Sequence, residues 1–169
     1  MAFFPVFIKA EGNRAVLFGS GREAEKKKEI LEDFGFITEW VKEGFSEEIL
    51  SPIPEIVVSA ITDEELSKRI YDACRARNIP INTVDNPPLC TFYFSANIKT
   101  KHLTVGVSTG GMAPGGAGLF RDRIRDSIPD NADEIIEKIS EIRRHAQKEI
   151  PDTKRRREYI REKSEKLLK

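Results

Sequence analysis

The segment from Arg14 to Lys28 constrains this chain more than any other. Ala15 to Phe18 make a short apolar strand, Gly19-Ser20-Gly21 a tight turn, and the run from Arg22 the opening of a charged amphipathic helix. Strand, glycine turn and helix in that order are what a dinucleotide pyrophosphate site requires. Gly19 permits the sharp turn, Gly21 lets the backbone approach a phosphate, and Ala24 keeps the helix close to the strand. The bare amides of the first helical turn then face the anion. The same Gly-x-Gly-x-x-Ala spacing also serves plain strand-to-helix turns, so its weight comes from what surrounds it.

What surrounds it alternates. Pro5 to Ala10 reads as extended and Glu11-Gly12-Asn13 as a turn. The helix after Gly21 should run to about Phe34, burying Ala24, Ile30, Leu31 and Phe34, with Gly35 beyond its end. Phe36 to Val41 is a second strand. Ser46 carries capping chemistry for a short helix that Pro52 and Pro54 stop. Ile56 to Ala60 is continuous and β-branched, as a strand buried on both faces should be. Thr62-Asp63-Glu64-Glu65 caps a helix that turns Leu66, Ile70, Tyr71 and Cys74 inward. Ile79 to Val84 is another strand, ending at Asp85. Strands alternating with helices predict an α/β fold with a Rossmann-like parallel sheet.

Beyond Asp85 the pattern changes. Asn86-Pro87-Pro88 is a loop, and Thr91 to Ile98 and Leu103 to Ser108 alternate like paired strands. A glycine cluster follows, from Gly106 to Gly118, and from about Leu119 the chain is helical with breaks at Pro129 and Pro151. These features predict a dinucleotide-binding domain over 1–107 and a small dimerisation and helical domain over 108–169.

Composition narrows the function. The 169 residues carry 28 Lys and Arg against 28 Asp and Glu, so nothing global draws the chain to nucleic acid or an acidic membrane surface. The apolar amino terminus is too short for a signal peptide's core and has no basic flank, so no secretory leader is expected. Two cysteines, Cys74 and Cys90, make neither a disulfide framework nor a zinc spacing, and a reducing cytoplasm is the expected compartment. His102 and His145 are too isolated to form a metal cage. Asp85, at the carboxyl end of a parallel strand, could exchange a proton beside a bound cofactor, or simply cap its loop. Thr62 and Asp63 share that edge, where helix capping also accounts for them. Ser108-Thr109-Gly110-Gly111 could cradle an anion or let two backbones cross closely.

Four motifs in order resemble the siroheme synthase amino-terminal family: Val16 to Gly21, Ser59 to Leu66, Asn82 to Pro87 and Thr104 to Pro114. Members are precorrin-2 dehydrogenases, many of them also sirohydrochlorin ferrochelatases. The resemblance implies a homodimer that oxidises precorrin-2 to sirohydrochlorin with NAD, in some members followed by iron insertion. It implies Asp85 as the acid/base group. Gly19, Ser20, Gly21, Arg22, Thr62 and Asp63 would contact the cofactor, and Ser108, Thr109, Gly110 and Gly111 the tetrapyrrole. The ribose acid expected about 20 residues past the glycine turn would be Glu39. Trp40 to Glu55 is short for this family, so the sheet should lack about one β–α unit. Chelatase-only and non-catalytic tetrapyrrole-binding roles are the alternatives that such shortening leaves open.

Overall fold

The computed structural model describes residues 3–168; Met1, Ala2 and Lys169, which the apolar amino-terminal stretch and the helical tail include, lie outside the described residues. Two compact units divide between Phe94 and Ser95. That is earlier than the change of architecture expected after residue 107, so the antiparallel hairpin belongs with the helices.

In the unit Phe4–Phe94, four parallel strands lie in the order β2-β1-β3-β4: β1 Arg14–Gly19, β2 Ile37–Val41, β3 Ile56–Ala60 and β4 Ile81–Thr83. Helices α1 (Arg22–Asp33) and α2 (Glu64–Ala76) cover it. The central strand β1 alternates between two apolar layers. Ala15 and Leu17 meet Ala24 and Leu31 of α1, with Ile56 and Val58 of β3. Val16 and Phe18 meet Ile70 and Cys74 of α2, with Val57 and Leu50. Each large side chain so buried contributes about 1.5–3 kcal/mol, which is why the run of four apolar residues from Ala15 to Phe18 becomes a central strand.

The β2-to-β3 connection holds only a 3-10 turn, Glu47–Leu50, capped by Ser46 Oγ accepting from the Glu48 amide. Its one buried residue, Leu50, plugs the layer beneath β3. The shortened connection leaves β2 as an edge strand and keeps β1, β3 and β4 adjacent. The expected strand from Thr91 is not formed there. Thr91 and Phe92 instead donate their amides to the Ile81 carbonyl, and Asn82 Nδ2 donates to the Phe92 carbonyl, tying an irregular segment alongside β4.

In the unit from Ser95 onward, β5 (Ala96–Lys99) and β6 (Thr104–Val107) form an antiparallel hairpin against which α3 (Pro114–Ser127) packs. Helix α3 begins earlier than Leu119, so Gly115, Gly116 and Gly118 are helical. Helices α4 (Ala132–Glu149) and α5 (Thr153–Glu165) pack together. Asp133 at the start of α4 holds the hairpin turn, accepting from Thr100 Oγ1 at 2.6 Å and from the His102 and Lys101 amides at 2.8 and 3.1 Å. His102 Nε2 lies 2.9 Å from Glu137 Oε1. Among the described residues no helix is long and apolar enough to cross a membrane.

Candidate active site

Three chain reversals meet at the carboxyl edge of the parallel sheet: Gly19–Gly21 after β1, Ile61–Asp63 after β3, and Val84–Asp85 after β4. Their closeness is enforced by backbone. A Cβ on Gly19 would lie 2.5 Å from the Ala60 carbonyl oxygen, and Gly19 has φ +106°. No side chain fits between Gly19 and the turn after β3. The ladder between β3 and β4 continues one step past the strands, Val84 N donating to Ser59 O at 2.8 Å, which carries Asp85 to the same edge.

Gly21 caps α1 with φ +83° and ψ −173°, a region open essentially to glycine alone. No side chain caps the helix there, and nothing lies within 4 Å of where a Cβ would be. The start of α1 therefore has neither a side-chain cap nor a crowding neighbour at Gly21, which suits the approach of a pyrophosphate. Ser20 and Arg22 flank it, exposed. The nearest acid with a shifted titration, Glu23, is held below the usual carboxylate range by its hydrogen bond from Lys26. On this geometry the residues present fit a dinucleotide.

Asp85 occupies a left-handed conformation, φ +56°, in the turn closed by Asn86 N donating to Thr83 O at 3.2 Å. Aspartate tolerates that conformation better than most residues, though still at a cost. Its carboxylate is exposed and has no hydrogen-bond or ion-pair partner among the described residues. The turn itself is braced. The Thr83 amide donates to Cys90 Sγ at 3.2 Å, and Thr83 Oγ1 donates to the Leu89 carbonyl at 2.9 Å. Burial pushes the Cys90 thiol up, with the Thr83 amide and Lys27 acting the other way, so Cys90 stays a protonated brace.

The other expected residues are placed unequally. Asp63 caps α2, Oδ1 accepting from the Leu66 amide at 3.0 Å, and Thr62 is exposed beside it. Glu39 is not at the edge. It pairs with Val16 in mid-strand, and its Oε2 accepts from Arg14 Nη2 and Nε at 2.6 and 2.9 Å. Arg14 begins β1, so this carboxylate is drawn toward the end of the strands opposite the glycine turn. The sequence spacing counted residues but not the direction in which an arginine would pull. In the other unit, Ser108 Oγ accepts from the Gly110 amide, and Thr109 Oγ1 from the Ala113 amide. These hydroxyls brace their own turn.

Sequence reasoning missed two participants. Trp40 donates its indole N–H to the Gly19 carbonyl at 2.7 Å, fixing the glycine turn from β2. Lys27 lies half-buried on α1, its Nζ 4.2 Å from the centre of the Phe94 ring and in the field of Glu23 and then Asp85. A lysine between the buried positions Ala24 and Leu31 is the signal that could have found it.

Comparison with known proteins follows the same lines. Residues 35–96 match a family model described as "Putative NAD(P)-binding". The siroheme biosynthesis protein met8 of Schizosaccharomyces pombe is 37% identical over 123 residues, 73% of this chain and 47% of that protein. A siroheme synthase of Pseudomonas aeruginosa is 30% identical across 94% of this chain and 38% of its own length. One of Psychrobacter sp. is 28% identical across 94% of this chain and 37% of its own length. The chain thus spans less than half the length of these relatives. Among solved structures, one titled SirC, precorrin-2 dehydrogenase, superimposes with a TM-score of 0.71 at 14% identity, covering 98% of this chain and 97% of that one.

Proposed function

Because this chain belongs to the siroheme synthase amino-terminal family, we propose that it is an NAD-dependent precorrin-2 dehydrogenase that oxidises precorrin-2 to sirohydrochlorin. The observation that carries the reading is the meeting of an open glycine cradle and an unengaged carboxylate, Asp85, on one edge of the sheet. NAD, when bound, supplies the hydride acceptor. Gly19, Ser20, Gly21 and the first amides of α1 hold its pyrophosphate, and Arg22 adds positive charge. Thr62 Oγ1 and the Asp63 oxygen left free by the helix cap are the donors and acceptors for ribose at this edge. Glu39 is omitted from the set because Arg14 engages it.

Loss of hydride from a tetrapyrrole must be matched by loss of a proton. Asp85 accepts that proton: its oxygens are acceptor-only while ionised, and no donor engages them among the described residues. Positioned general bases of this kind contribute about 10²–10⁴ in rate. The turn Ser108, Thr109, Gly110 and Gly111 remains the proposed tetrapyrrole contact of the other unit. A second copy of the chain is the partner we assign to the exposed apolar side chains Met112, Leu119 and Phe120 of the second unit, at 92%, 75% and 64% exposure. A cytoplasmic setting accords with two free thiols.

The test is precorrin-2 oxidation followed by absorbance, with and without NAD, on wild type and Asp85→Ala. NAD-dependent product that vanishes in the variant is expected. A folded wild type that oxidises nothing, yet inserts ferrous iron into sirohydrochlorin without NAD, would replace the dehydrogenase with a chelatase.

A further inference from the structure

We infer that Lys27 is the anion anchor of the substrate subsite, binding an ionised carboxylate of the tetrapyrrole beside Asp85. This rests on the dehydrogenase reading. Lys27 follows Ala24 by three residues and precedes Leu31 by four, so it shares their core-facing stripe on α1. A charge on that stripe breaks the pattern that packs the helix, and such breaks concentrate where a chain does chemistry.

The three consecutive lysines of α1 differ in what they touch. Lys26 Nζ meets Glu23 at 2.5 Å and Lys28 Nζ meets Glu32 at 2.6 Å, both within their own helix. Lys27 Nζ has no hydrogen-bond acceptor and no ion-pair partner among the described residues; it has the face of Phe94. Burial lowers its pKa, opposed by Glu23 and then Asp85, with Lys26 adding to the lowering. A partly desolvated ammonium with unfilled donors is costly unless something fills them. The ring beneath it, itself packed on Phe92 with centroids 5.5 Å apart, accounts for part of that cost and holds the ammonium at the site.

The chemistry of the proposed substrate supplies the rest. Precorrin-2 carries ionised acetate and propionate side chains, which a carboxylate such as Asp85 repels. An ammonium in the field of Asp85 offsets that repulsion and donates to one of them by a charge-assisted hydrogen bond. The pyrophosphate of NAD offers anionic oxygens of the same kind, so the experiment must separate the two.

Sirohydrochlorin binding by absorbance titration, and NAD binding by thermal protection, are to be measured on the full chain as wild type, Lys27→Met and Lys27→Arg. Lys27→Met should weaken sirohydrochlorin binding about tenfold or more, the scale of one hydrogen bond to a charged group, and leave NAD protection unchanged. Lys27→Arg should recover most of the loss. Methionine keeps the apolar stem of lysine, and should it fail to fold, Lys27→Gln is to be read in the same way. Wild-type affinity for sirohydrochlorin in Lys27→Met overturns the inference. So does loss of NAD protection with tetrapyrrole binding intact, which would assign the ammonium to the pyrophosphate. A wild type that binds NAD but no tetrapyrrole overturns the dehydrogenase reading itself, and Lys27 with it.

Discussion

Gly19→Ala and Gly21→Ala are both substitutions at positive φ, yet they should fail in different ways. At Gly19 the new methyl carbon would lie 2.5 Å from Ala60 O, 2.7 Å from Ala60 C and 3.2 Å from Ile61 N. All three are backbone atoms of β3 and its turn, which cannot swing aside as a side chain would. A left-handed conformation costs a non-glycine residue about 1–2 kcal/mol, and overpacking a close-fitted site about 1–3 more. The sum, about 2–5 kcal/mol, is a large share of the 5–15 kcal/mol typical of whole domains. At Gly21 nothing lies within 4 Å, so only the backbone penalty of about 1–3 kcal/mol applies. Urea unfolding followed by Trp40 fluorescence reads this unit alone, since Trp40 is the single tryptophan and hydrogen-bonds the Gly19 carbonyl itself. With a urea slope of about 1–3 kcal/mol per molar, the Gly19→Ala midpoint should fall below that of Gly21→Ala by about 1 M. Gly21→Ala should instead lose thermal protection by NAD, because its methyl would enter the open space beside the helix start where the pyrophosphate is proposed to lie. Coincident midpoints for the two variants would refute the close-approach argument.

Asp85→Asn keeps a residue that tolerates positive φ while removing the base; kcat/KM for NAD-dependent oxidation should drop about 10²–10⁴-fold with the urea midpoint unchanged. Glu39→Gln should leave NAD protection as in wild type, and it should cost about 1 kcal/mol in the same unfolding assay, the upper end for a partly exposed ion pair. Phe120→Glu, placed on the exposed face of α3, should turn a dimer into a monomer in light scattering coupled to gel filtration; a wild type that is already monomeric removes the second copy from the proposal. The Asp133 carboxyl is held below the usual aspartate range, first by the Thr100 hydroxyl and then by the His102 and Lys101 amides, against some desolvation. Its grip on the hairpin is therefore complete above the ordinary aspartate range and lost as pH falls through the lowered value. Hydrogen exchange at the Lys101 and His102 amides should accelerate on that acid limb in wild type and lack it in Asp133→Asn.

Local chemistry was legible wherever neighbours in sequence are neighbours in space. The α1 start at Gly21, the Asp63 cap on α2 and the buried run of β3 each depend on residues a few positions apart. So does the short capped segment after Ser46, although it closed as a 3-10 turn. The stretch from Thr91 misled because alternation alone describes any segment with one wet face. What decides between a strand and an irregular run is whether a partner edge is offered; here the Ile81 carbonyl accepts from both the Thr91 and Phe92 amides, and the Asn82 side chain donates to the Phe92 carbonyl, so no ladder forms.

The sequence by itself therefore determined a parallel α/β unit with a glycine turn, the position of Asp85 after β4, and a charged helical remainder, because periodicity, capping and turn chemistry are short-range. Only the tertiary structure decided that Arg14 would draw Glu39 away from the glycine turn, that Trp40 would brace that turn, and that Lys27 would stand unpaired over Phe94 in the field of Asp85. Each of those contacts joins residues from different parts of the chain. Their meeting depends on strand order and register, which no stretch of the chain encodes alone.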